Sequence, residues 1–281
     1  MKLHTLGTGG PMPDPRRNAS CYVLEAGEAK LMFDVGRGAI ASLAKKGLPF
    51  PRINPLFISH HHVDHIGELA DYLIASWLAG RREKLRIFGP PGTKAIVDAL
   101  LGAVYARDVE FRTGGETVFG PFIPAEVTEV RAGPVYDDGT IKVSCAEMEH
   151  GHGLPFTSLF RQNWICLAWR VESGGKVFSF SGDAVMSDAL VRLATGSDLH
   201  LQCCYMAASE LRNEHLKGVG KYTLACSDTA GKIAAQSGVK HLVLTHFKRM
   251  EPALLEGIAA DVRRDFAGPV SLANDLDEIE F

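Results

Sequence analysis

The stretch that decides the fold is His60-His61-His62-Val63-Asp64-His65, an H-x-H-x-D-H pattern separated by one serine from the apolar run 56–58. Alternate residues of an extended segment point to the same side, so His60 and His62 can bind one metal ion. Asp64 and His65 then lie at the start of a helix, where they can face a second ion. Imidazole and carboxylate are typical ligands of Zn²⁺ and related transition ions. A chance surface cluster is the weaker interpretation, because the stretch is internal and includes an aspartate.

Three further candidate ligands each follow an apolar, strand-like run. His150 follows 141–149, Asp183 follows 177–182 and His246 follows 241–245. Taken alone, Asp183 is better explained as a helix N-cap, and the two histidines as hydrogen-bonded, partly buried side chains. Taken with the first motif, they predict the rest of a metal site, because loops that form sites gather at the ends of strands.

The order of strand-like and helix-like runs predicts the architecture. Strand-like runs form two groups along the chain, each accompanied by helices, and no linker long enough to separate two domains interrupts them. This pattern predicts an α/β protein with two sheets packed face to face and helices outside, a four-layer αββα sandwich forming one domain over 1–281. Within it, 109–112 is predicted to be a strand, 66–79 and 93–105 are each predicted to be one helix, and 151–164 a Gly-rich loop.

Several motifs together give the chain a family resemblance. It resembles the metallo-β-lactamase superfamily, and within it the branch that contains ribonuclease Z and arylsulfatase-like metal-dependent hydrolases. The histidine motif is highly specific for this superfamily, whereas the Gly-rich and C-terminal matches are weak alone. The matching segments are 6–11 with Arg17 and Asn18, 31–36, 60–65, His150, 181–183, 244–247 and 273–276.

The resemblance implies a ligand set and a cofactor. It implies that His60, His62 and His150 bind one ion, that Asp64, His65 and His246 bind the other, and that Asp183 bridges them. The cofactor would be two Zn²⁺ per chain, with Mn²⁺ or Fe possible, holding a hydroxide that attacks the substrate.

Other side chains are expected to support this centre. Asp64 is predicted to be catalytic by orienting the hydroxide, and Asp34, Ser59 and Thr245 are candidates to orient the ligands. Turn formation is the better explanation of Ser59. The acid that protonates the leaving group is left open among His152, His215 and Tyr222.

Three departures from ribonuclease Z favour a small substrate. Residues 171–176 read as a short hairpin where ribonuclease Z has a long RNA-gripping arm, Leu224 stands where that family has a histidine, and the net charge is −3. We therefore expect hydrolysis of a lactone or carboxylic ester, a sulfate ester or a phosphodiester in a small molecule, with no nucleic-acid substrate. The alternatives are a ribonuclease Z-like phosphodiesterase or nuclease, and an iron-bearing redox protein on the same fold.

The segment 151–164, directly after His150, has two interpretations. It is either a surface loop that tucks its aromatic rings into the core, or a flexible pocket wall for an apolar part of the substrate. On the second interpretation Phe156, Phe160 and Trp164 contact substrate, and at least one of these rings lines the metal-bearing pocket. His215 is a further predicted substrate contact.

Location and assembly follow from weaker signals. The sequence has no apolar run long enough to span a membrane and no secretory signal, so no membrane partner is expected. Its six cysteines include no C-x-x-C pair, which favours free thiols in the cytoplasm. A homodimer is implied by the resemblance only.

Overall fold

A computed structural model describes residues 1–214 and 216–281, and over these ranges the chain forms two seven-stranded sheets. The first sheet has the strand order β14-β1-β2-β3-β4-β5-β6, and the second has the order β13-β12-β11-β10-β9-β8-β7. The strands are β1 Lys2–Gly7, β2 Cys21–Ala26, β3 Ala29–Phe33, β4 Leu56–Phe57, β5 Arg86–Gly89, β6 Glu126–Glu129, β7 Gly133–Asp137, β8 Ile141–Met148, β9 Cys166–Ser173, β10 Lys176–Phe180, β11 Leu199–Cys203, β12 Leu242–Thr245, β13 Val270–Leu272 and β14 Asp277–Glu280.

Helices follow the strands in both halves of the chain. Short 3₁₀ turns and a π-helical turn over Leu100–Val104 join some of them. The α-helices are α1 Ala39–Lys46, α2 Val63–Ile66, α3 Leu69–Leu78, α4 Thr93–Ala99, α5 Ala106–Gly114, α6 Ser158–Asn163, α7 Asp188–Ala194, α8 Glu214–Tyr222, α9 Ser227–Ser237 and α10 Pro252–Val262. In the described ranges no helix is long and apolar enough to cross a membrane.

The period-2 pattern of the strands assigns each sheet an inner and an outer face. In β9, Leu167 and Trp169 point into the core between the sheets, where Phe33 and Phe57 of the first sheet meet them. The alternate residue Ala168 points outward, toward α7 and α9. Burial of both faces explains why these strands read as nearly continuous apolar runs.

The outer faces of both sheets are covered by helices. Leu43 of α1 and Leu73 of α3 pack on the first sheet, and Ala234 of α9 and Ile258 of α10 pack on the second. The resulting layers are helix, sheet, sheet, helix, and the predicted four-layer αββα sandwich is confirmed.

Strand direction brings the candidate ligands to one edge of the sandwich. Strands β3 to β6 are parallel in the first sheet, and β10 to β13 are parallel in the second. Strand β8 is antiparallel to β9, which is antiparallel to β10, so β8 and β10 run the same way. The carboxyl ends of β4, β8, β10 and β12 therefore gather at this edge.

Some predicted elements differ from the structure. Residues 109–112 lie inside helix α5 rather than in a strand, because Arg112 pairs with Asp108 and Glu116 at the four-residue spacing of a helix. The predicted helix 66–79 is interrupted between α2, which ends at Ile66, and α3, which begins at Leu69. Glu68 lies in this interruption, and its carboxylate accepts the backbone N–H groups of Gly38 and Ile40. The predicted loop 151–164 contains helix α6.

Candidate metal centre

All seven predicted ligand residues lie at the carboxyl ends of strands, in two sheets. His60 and His62 follow β4, and α2 carries Asp64 and His65. The remaining three follow β8, β10 and β12: His150, Asp183 and His246. Six of the seven are buried, and His62 is the exposed one. The structure thus brings together residues that are up to 186 positions apart in the sequence, counting from His60 to His246.

One group of ring nitrogens forms a compact triangle. His60 Nε2 lies 2.9 Å from His62 Nδ1, and His62 Nδ1 lies 3.2 Å from His150 Nε2. His150 Nδ1 is held 2.5 Å from the carbonyl oxygen of Thr223, which fixes its N–H on that side. The lone pair of His150 Nε2 therefore faces the other two imidazoles.

A second group lies beside the first. His246 Nε2 is 3.2 Å from both Asp64 Oδ2 and His65 Nε2. His65 Nε2 is 3.6 Å from Asp64 Oδ2. Again, atoms that can each donate a lone pair converge on one small space.

Asp183 faces both groups with different oxygens. Its Oδ2 lies 3.9 Å from His60 Nε2 and 3.8 Å from His150 Nε2. Its Oδ1 lies 3.5 Å from His65 Nε2 and 3.4 Å from His246 Nε2. Buried Oδ1 accepts no hydrogen bond from any residue that the structure describes. A buried carboxylate oxygen without a donor is costly unless a cation satisfies it.

The spacing of these atoms fits metal ions. A tetrahedral ion with ligand bonds of about 2.1 Å places its ligand atoms about 3.4 Å apart. The separations in both groups, 2.9 to 3.9 Å, lie on either side of that value. Nitrogen and carboxylate donors are those preferred by Zn²⁺, and also suit Mn²⁺ and Fe. The residues present therefore fit two ions that share the Asp183 carboxylate.

Burial and neighbouring charges set the protonation states of these side chains. Burial, reinforced by the neighbouring imidazoles, lowers the pKa of His60 well below its ordinary value. Although His62 is exposed overall, its ring lies against His150 and Trp164, and this local desolvation lowers its pKa to about 4. Both rings are therefore neutral near pH 7, with a free lone pair. Burial opposes the charge of Asp183, but His246 and His65 outweigh it and hold the pKa of its carboxyl well below the usual range. Asp183 is therefore an anion. Burial opposes a charge on His65, but the carboxylates of Asp183 and Asp34 outweigh it and raise the pKa of that ring well above its ordinary value.

Asp34 orients the second group from behind. It is fully buried at the end of β3, where its Oδ2 accepts from His65 Nδ1 at 2.7 Å and from the Ser59 hydroxyl at 2.8 Å. Its Oδ1 accepts the Ser59 backbone N–H at 2.7 Å. Ser59, expected mainly to form a turn, thus also fixes Asp34. Thr245, by contrast, pairs its hydroxyl with that of Tyr22, at 3.0 Å.

A close backbone contact holds the motif helix against β3. A Cβ atom on Gly36 would lie only 2.1 Å from the backbone oxygen of Asp64, so only glycine fits there. The backbone N–H of Val35 donates to the carbonyl oxygen of His65 at 2.7 Å. These contacts set the position from which both α2 ligands project.

The predicted substrate contacts lie at different distances from the centre. The Trp164 ring is 4.8 Å from the His62 ring, centroid to centroid, and its Nε1 donates to the carbonyl oxygen of His150. Phe156 and Phe160 lie further out and are each 40% exposed. The predicted contact at His215 lies outside the described residues.

Two of the three candidates for the leaving-group acid, His152 and Tyr222, lie among the described residues. His152 Nδ1 accepts the backbone N–H of His150 at 3.0 Å, which leaves its Nε2 as the proton-carrying nitrogen. Tyr222 packs against the backbone of Gly153 and accepts the Gly151 N–H with its carbonyl oxygen. Neither residue contacts the ligand side chains directly through its own titratable atom.

Two residues near the centre were not predicted from the sequence. Cys203, at the end of β11, lies close enough to Asp183 and His246 to join their group of metal-binding atoms. Burial raises the pKa of its thiol well above the ordinary value, so the thiol is neutral when no ion is bound. The Tyr205 ring lies 6.1 Å from the His246 ring. Both residues lie at or just after the end of β11, so a search for polar and aromatic side chains at the end of that strand would have found them.

Known proteins match the chain over most or all of its length. The sequence profile of the beta-lactamase superfamily domain matches residues 32–247. Proteins named Ribonuclease Z from Mycobacterium bovis and Mycobacterium marinum are each 30% identical, over 100% of this chain and 98% of their own length.

Solved structures agree on the fold. The metallo-beta-lactamase fold protein YhfI from Bacillus subtilis superposes with a TM-score of 0.76 at 18% identity, covering 100% of this chain and 98% of its own. The short form of human tRNase Z superposes with a TM-score of 0.72 at 23% identity, covering 100% and 99%.

These similarities correct two expectations. The expectation that nucleic acid is not a substrate is wrong, because the relatives matched over the whole chain bear the name of an enzyme that cleaves RNA. The preference for a small-molecule ester is less well supported than its alternative, a phosphodiesterase or nuclease. The long arm is missing at 171–176 and the family histidine is replaced by Leu224, but these local differences do not outweigh similarity along the entire chain.

Proposed function

Because this chain belongs to the metallo-β-lactamase superfamily and is a metal-dependent hydrolase, we propose that it is a phosphodiesterase that cleaves RNA. The observation that carries the proposal is the Asp183 carboxylate, whose two oxygens face two separate groups of ligand atoms at 3.4 to 3.9 Å. Two ions about 3.5–4 Å apart are the arrangement that phosphoryl-transfer enzymes use. The full-length similarity to proteins named Ribonuclease Z supports RNA as the substrate.

The ligand sets proposed for the ions are the two groups described above. His60, His62 and His150 would hold one ion, with Asp183 completing the set, and the second group would hold the other: Asp64, His65, His246 and Asp183. Bound Zn²⁺ lowers the pKa of water and stabilises the negative charge that develops on phosphoryl oxygens. Mn²⁺ or Fe is compatible with the same donors.

The side chains of this chain have distinct roles in the proposal. Asp64 would accept a hydrogen bond from the attacking water and so orient it, since its carboxylate lies in the first turn of α2 among the ligand atoms. Asp34 keeps the hydrogen of His65 on Nδ1, so that Nε2 offers its lone pair to the site. The Trp164 ring covers one side of His62 and limits access of bulk water there.

Positive charge beside the site supports a polyanionic substrate despite the net charge of −3. A Cβ atom on Gly10 would lie 3.3 Å from the His246 ring, so the loop that begins there borders the centre. This loop carries Arg17 and half-exposed Arg16, which pairs with Asp14. Arg37 donates to the carbonyl oxygen of Pro11 within it, so arginines outnumber the one carboxylate of the loop. Guanidinium groups suit phosphate oxygens, since they present several donors in a fixed plane.

A substrate panel tests the proposal. The zinc-loaded protein is assayed with bis(4-nitrophenyl) phosphate, 4-nitrophenyl acetate, 4-nitrophenyl sulfate and an RNA that has a single-stranded 3′ extension. We expect hydrolysis of the phosphodiester and cleavage of the RNA, both abolished by a chelator and restored by Zn²⁺. Faster turnover of the carboxylic or sulfate ester, with the RNA left intact, would contradict the proposal.

Two further properties are also proposed. All six cysteines are free and buried thiols, which supports a reducing compartment such as the cytoplasm. A homodimer is proposed from the family resemblance alone. Fractionation of cells and light scattering of the purified protein measure these two properties directly.

A further inference from the structure

Three aromatic side chains form a continuous row from the candidate metal centre to the surface. We call Phe156, Phe160 and Trp164 the aromatic ladder. The Phe156 and Phe160 rings are 4.3 Å apart between centroids, and the Phe160 and Trp164 rings are 5.7 Å apart and nearly parallel, at 16°. The next ring along the row is that of His62, 4.8 Å from Trp164. The ladder therefore ends on a proposed metal ligand.

Helix α6 produces this row. The Thr157 hydroxyl accepts the backbone N–H of Phe160 and caps the helix at its start. Positions four residues apart share one face of a helix, so the rings of Phe160 and Trp164 stack one above the other. The inner ring is fixed by the hydrogen bond from Trp164 Nε1 to the carbonyl oxygen of His150, at 2.9 Å.

The outer part of the ladder is open to solvent. Phe156 and Phe160 are each 40% exposed, whereas the phenylalanines of the core between the sheets are fully or almost fully buried. Adjacent Leu159 is 69% exposed. An exposed apolar surface that continues into a catalytic centre is typical of a ligand-binding surface rather than of a core element.

Two guanidinium groups flank the ladder. Arg161 in α6 donates to the carbonyl oxygen of Leu154 at 3.3 Å. Half-exposed Arg131 donates to the carbonyl oxygen of Gln162 at 3.5 Å and pairs with Glu147. A guanidinium has five N–H donors, so these contacts leave donors that can bind phosphate oxygens. Rings flanked by positive charge match the bases and the backbone of a single-stranded nucleic acid.

We propose that the aromatic ladder binds unpaired nucleobases of RNA next to the phosphate that is cleaved. This inference rests on the proposed function and names the part of the substrate that the enzyme grips. Bases stack on aromatic faces whatever their identity, and single-stranded RNA is recognised largely in this way. The strands β9 and β10 are joined directly through Gly174 and Gly175, without an inserted arm. The ladder, which precedes β9, would supply an RNA contact that such an arm does not provide here.

The test measures binding by fluorescence anisotropy with the zinc-loaded protein. The probes are labelled decauridylate with phosphorothioate linkages, which resist hydrolysis, and an abasic decamer with the same backbone. Phe160→Ala should weaken decauridylate binding by at least about 5-fold, since one lost stacking contact costs roughly that much. Binding of the abasic decamer should not change, because it has no bases to stack.

Three further variants distinguish base stacking from a purely apolar contact. Phe160→Tyr keeps an aromatic face and should bind like the unmodified protein, whereas Phe160→Leu keeps apolar volume without a ring and should bind like Phe160→Ala. Phe111→Ala is the control, because Phe111 is a phenylalanine on α5 that is more exposed than Phe160, 64% against 40%. Its binding of decauridylate should be unchanged.

Several outcomes would overturn the inference. Unchanged decauridylate binding in Phe160→Ala would do so, as would full binding in Phe160→Leu, which would indicate an apolar surface without base stacking. A change in oligomeric state with unchanged RNA binding would assign the surface to contact with a second copy of the chain. The failure of the proposed function is recognised separately: neither bis(4-nitrophenyl) phosphate nor RNA would be hydrolysed, whatever the binding data show.

Discussion

Replacing Asp34 by asparagine should weaken metal binding without removing any ligand. Asp34 accepts three hydrogen bonds: from His65 Nδ1, from the Ser59 hydroxyl and from the Ser59 backbone. In Asp34→Asn the amide oxygen can keep the backbone bond, and the amide nitrogen then faces the Ser59 hydroxyl and His65. An amide N–H cannot accept the hydrogen of His65 Nδ1. His65 must therefore move its proton to Nε2, the nitrogen that faces the other ligands.

The size of this effect follows from the role of such partners. Loss of an orienting partner of a metal-binding histidine typically lowers metal affinity 10- to 100-fold. This corresponds to about 1.4–2.7 kcal/mol of binding free energy. We expect the ion held by His65 to be affected most, because Asp34 contacts that ring directly and reaches His60 only through the Ser59 hydroxyl. His150 instead pairs with the carbonyl oxygen of Thr223.

The assay is a competition titration of Zn²⁺ against a chromophoric chelator, with the bound ions counted by mass spectrometry. Asp275→Asn is the matched control, since Asp275 accepts comparable bonds from Thr8 and the Asn18 backbone but contacts no proposed ligand among the described residues. The control should lose stability without losing zinc affinity. Two ions bound as tightly by Asp34→Asn as by the unmodified protein would refute the orienting role.

Three other changes give separate tests. Asp183→Ala should lose at least one metal ion and nearly all hydrolytic activity, and full zinc content in that variant would rule out a bridging role. Gly36→Ala places a methyl group 2.1 Å from the backbone oxygen of Asp64, so it should cost about 1–3 kcal/mol of stability and lower zinc content; Gly102→Ala, which meets open space, is its control in thermal unfolding and metal analysis. Burial lowers the pKa of His200 from its ordinary value of 6.5 to about 4. Because the unfolded chain takes up the proton first, the free energy of unfolding should fall by about 3 kcal/mol between pH 6.5 and pH 4 through this residue. Denaturant titrations should show a shallower decline in His200→Gln, and an identical decline would disprove the assignment.

The sequence carried much of the architecture. Apolar runs bounded by Gly and Pro located most of the strands, and the H-x-H-x-D-H pattern marked the metal centre, because both signals lie within a few adjacent residues. The prediction of a strand at 109–112, which rested on β-branched and aromatic residues there, was wrong. There the ion pairs of Arg112 with Asp108 and Glu116 stabilise a helix, and such pairs are invisible to a strand pattern.

The sequence misled us about the substrate for a related reason. The short connection at Gly174 and Gly175 indicated that a long RNA-binding arm is missing, and that observation agrees with the direct pairing of β9 and β10. It did not follow that RNA is excluded, because another part of the chain can supply the contact. A missing local feature limits how a substrate is bound, but not which substrate is bound.

By itself, then, the sequence determined which residue types stand at the ends of the strands, and with them the metal chemistry and the fold class. Only the tertiary structure decided how those residues group in space. His62 and His150 are 88 positions apart, and Asp64 and His246 are 182 apart, yet each pair is joined at 3.2 Å. The position of Asp34 behind His65, and of the aromatic ladder beside His62, is also a product of packing. Such contacts depend on the direction and order of strands in two sheets, which a local pattern of side chains does not encode.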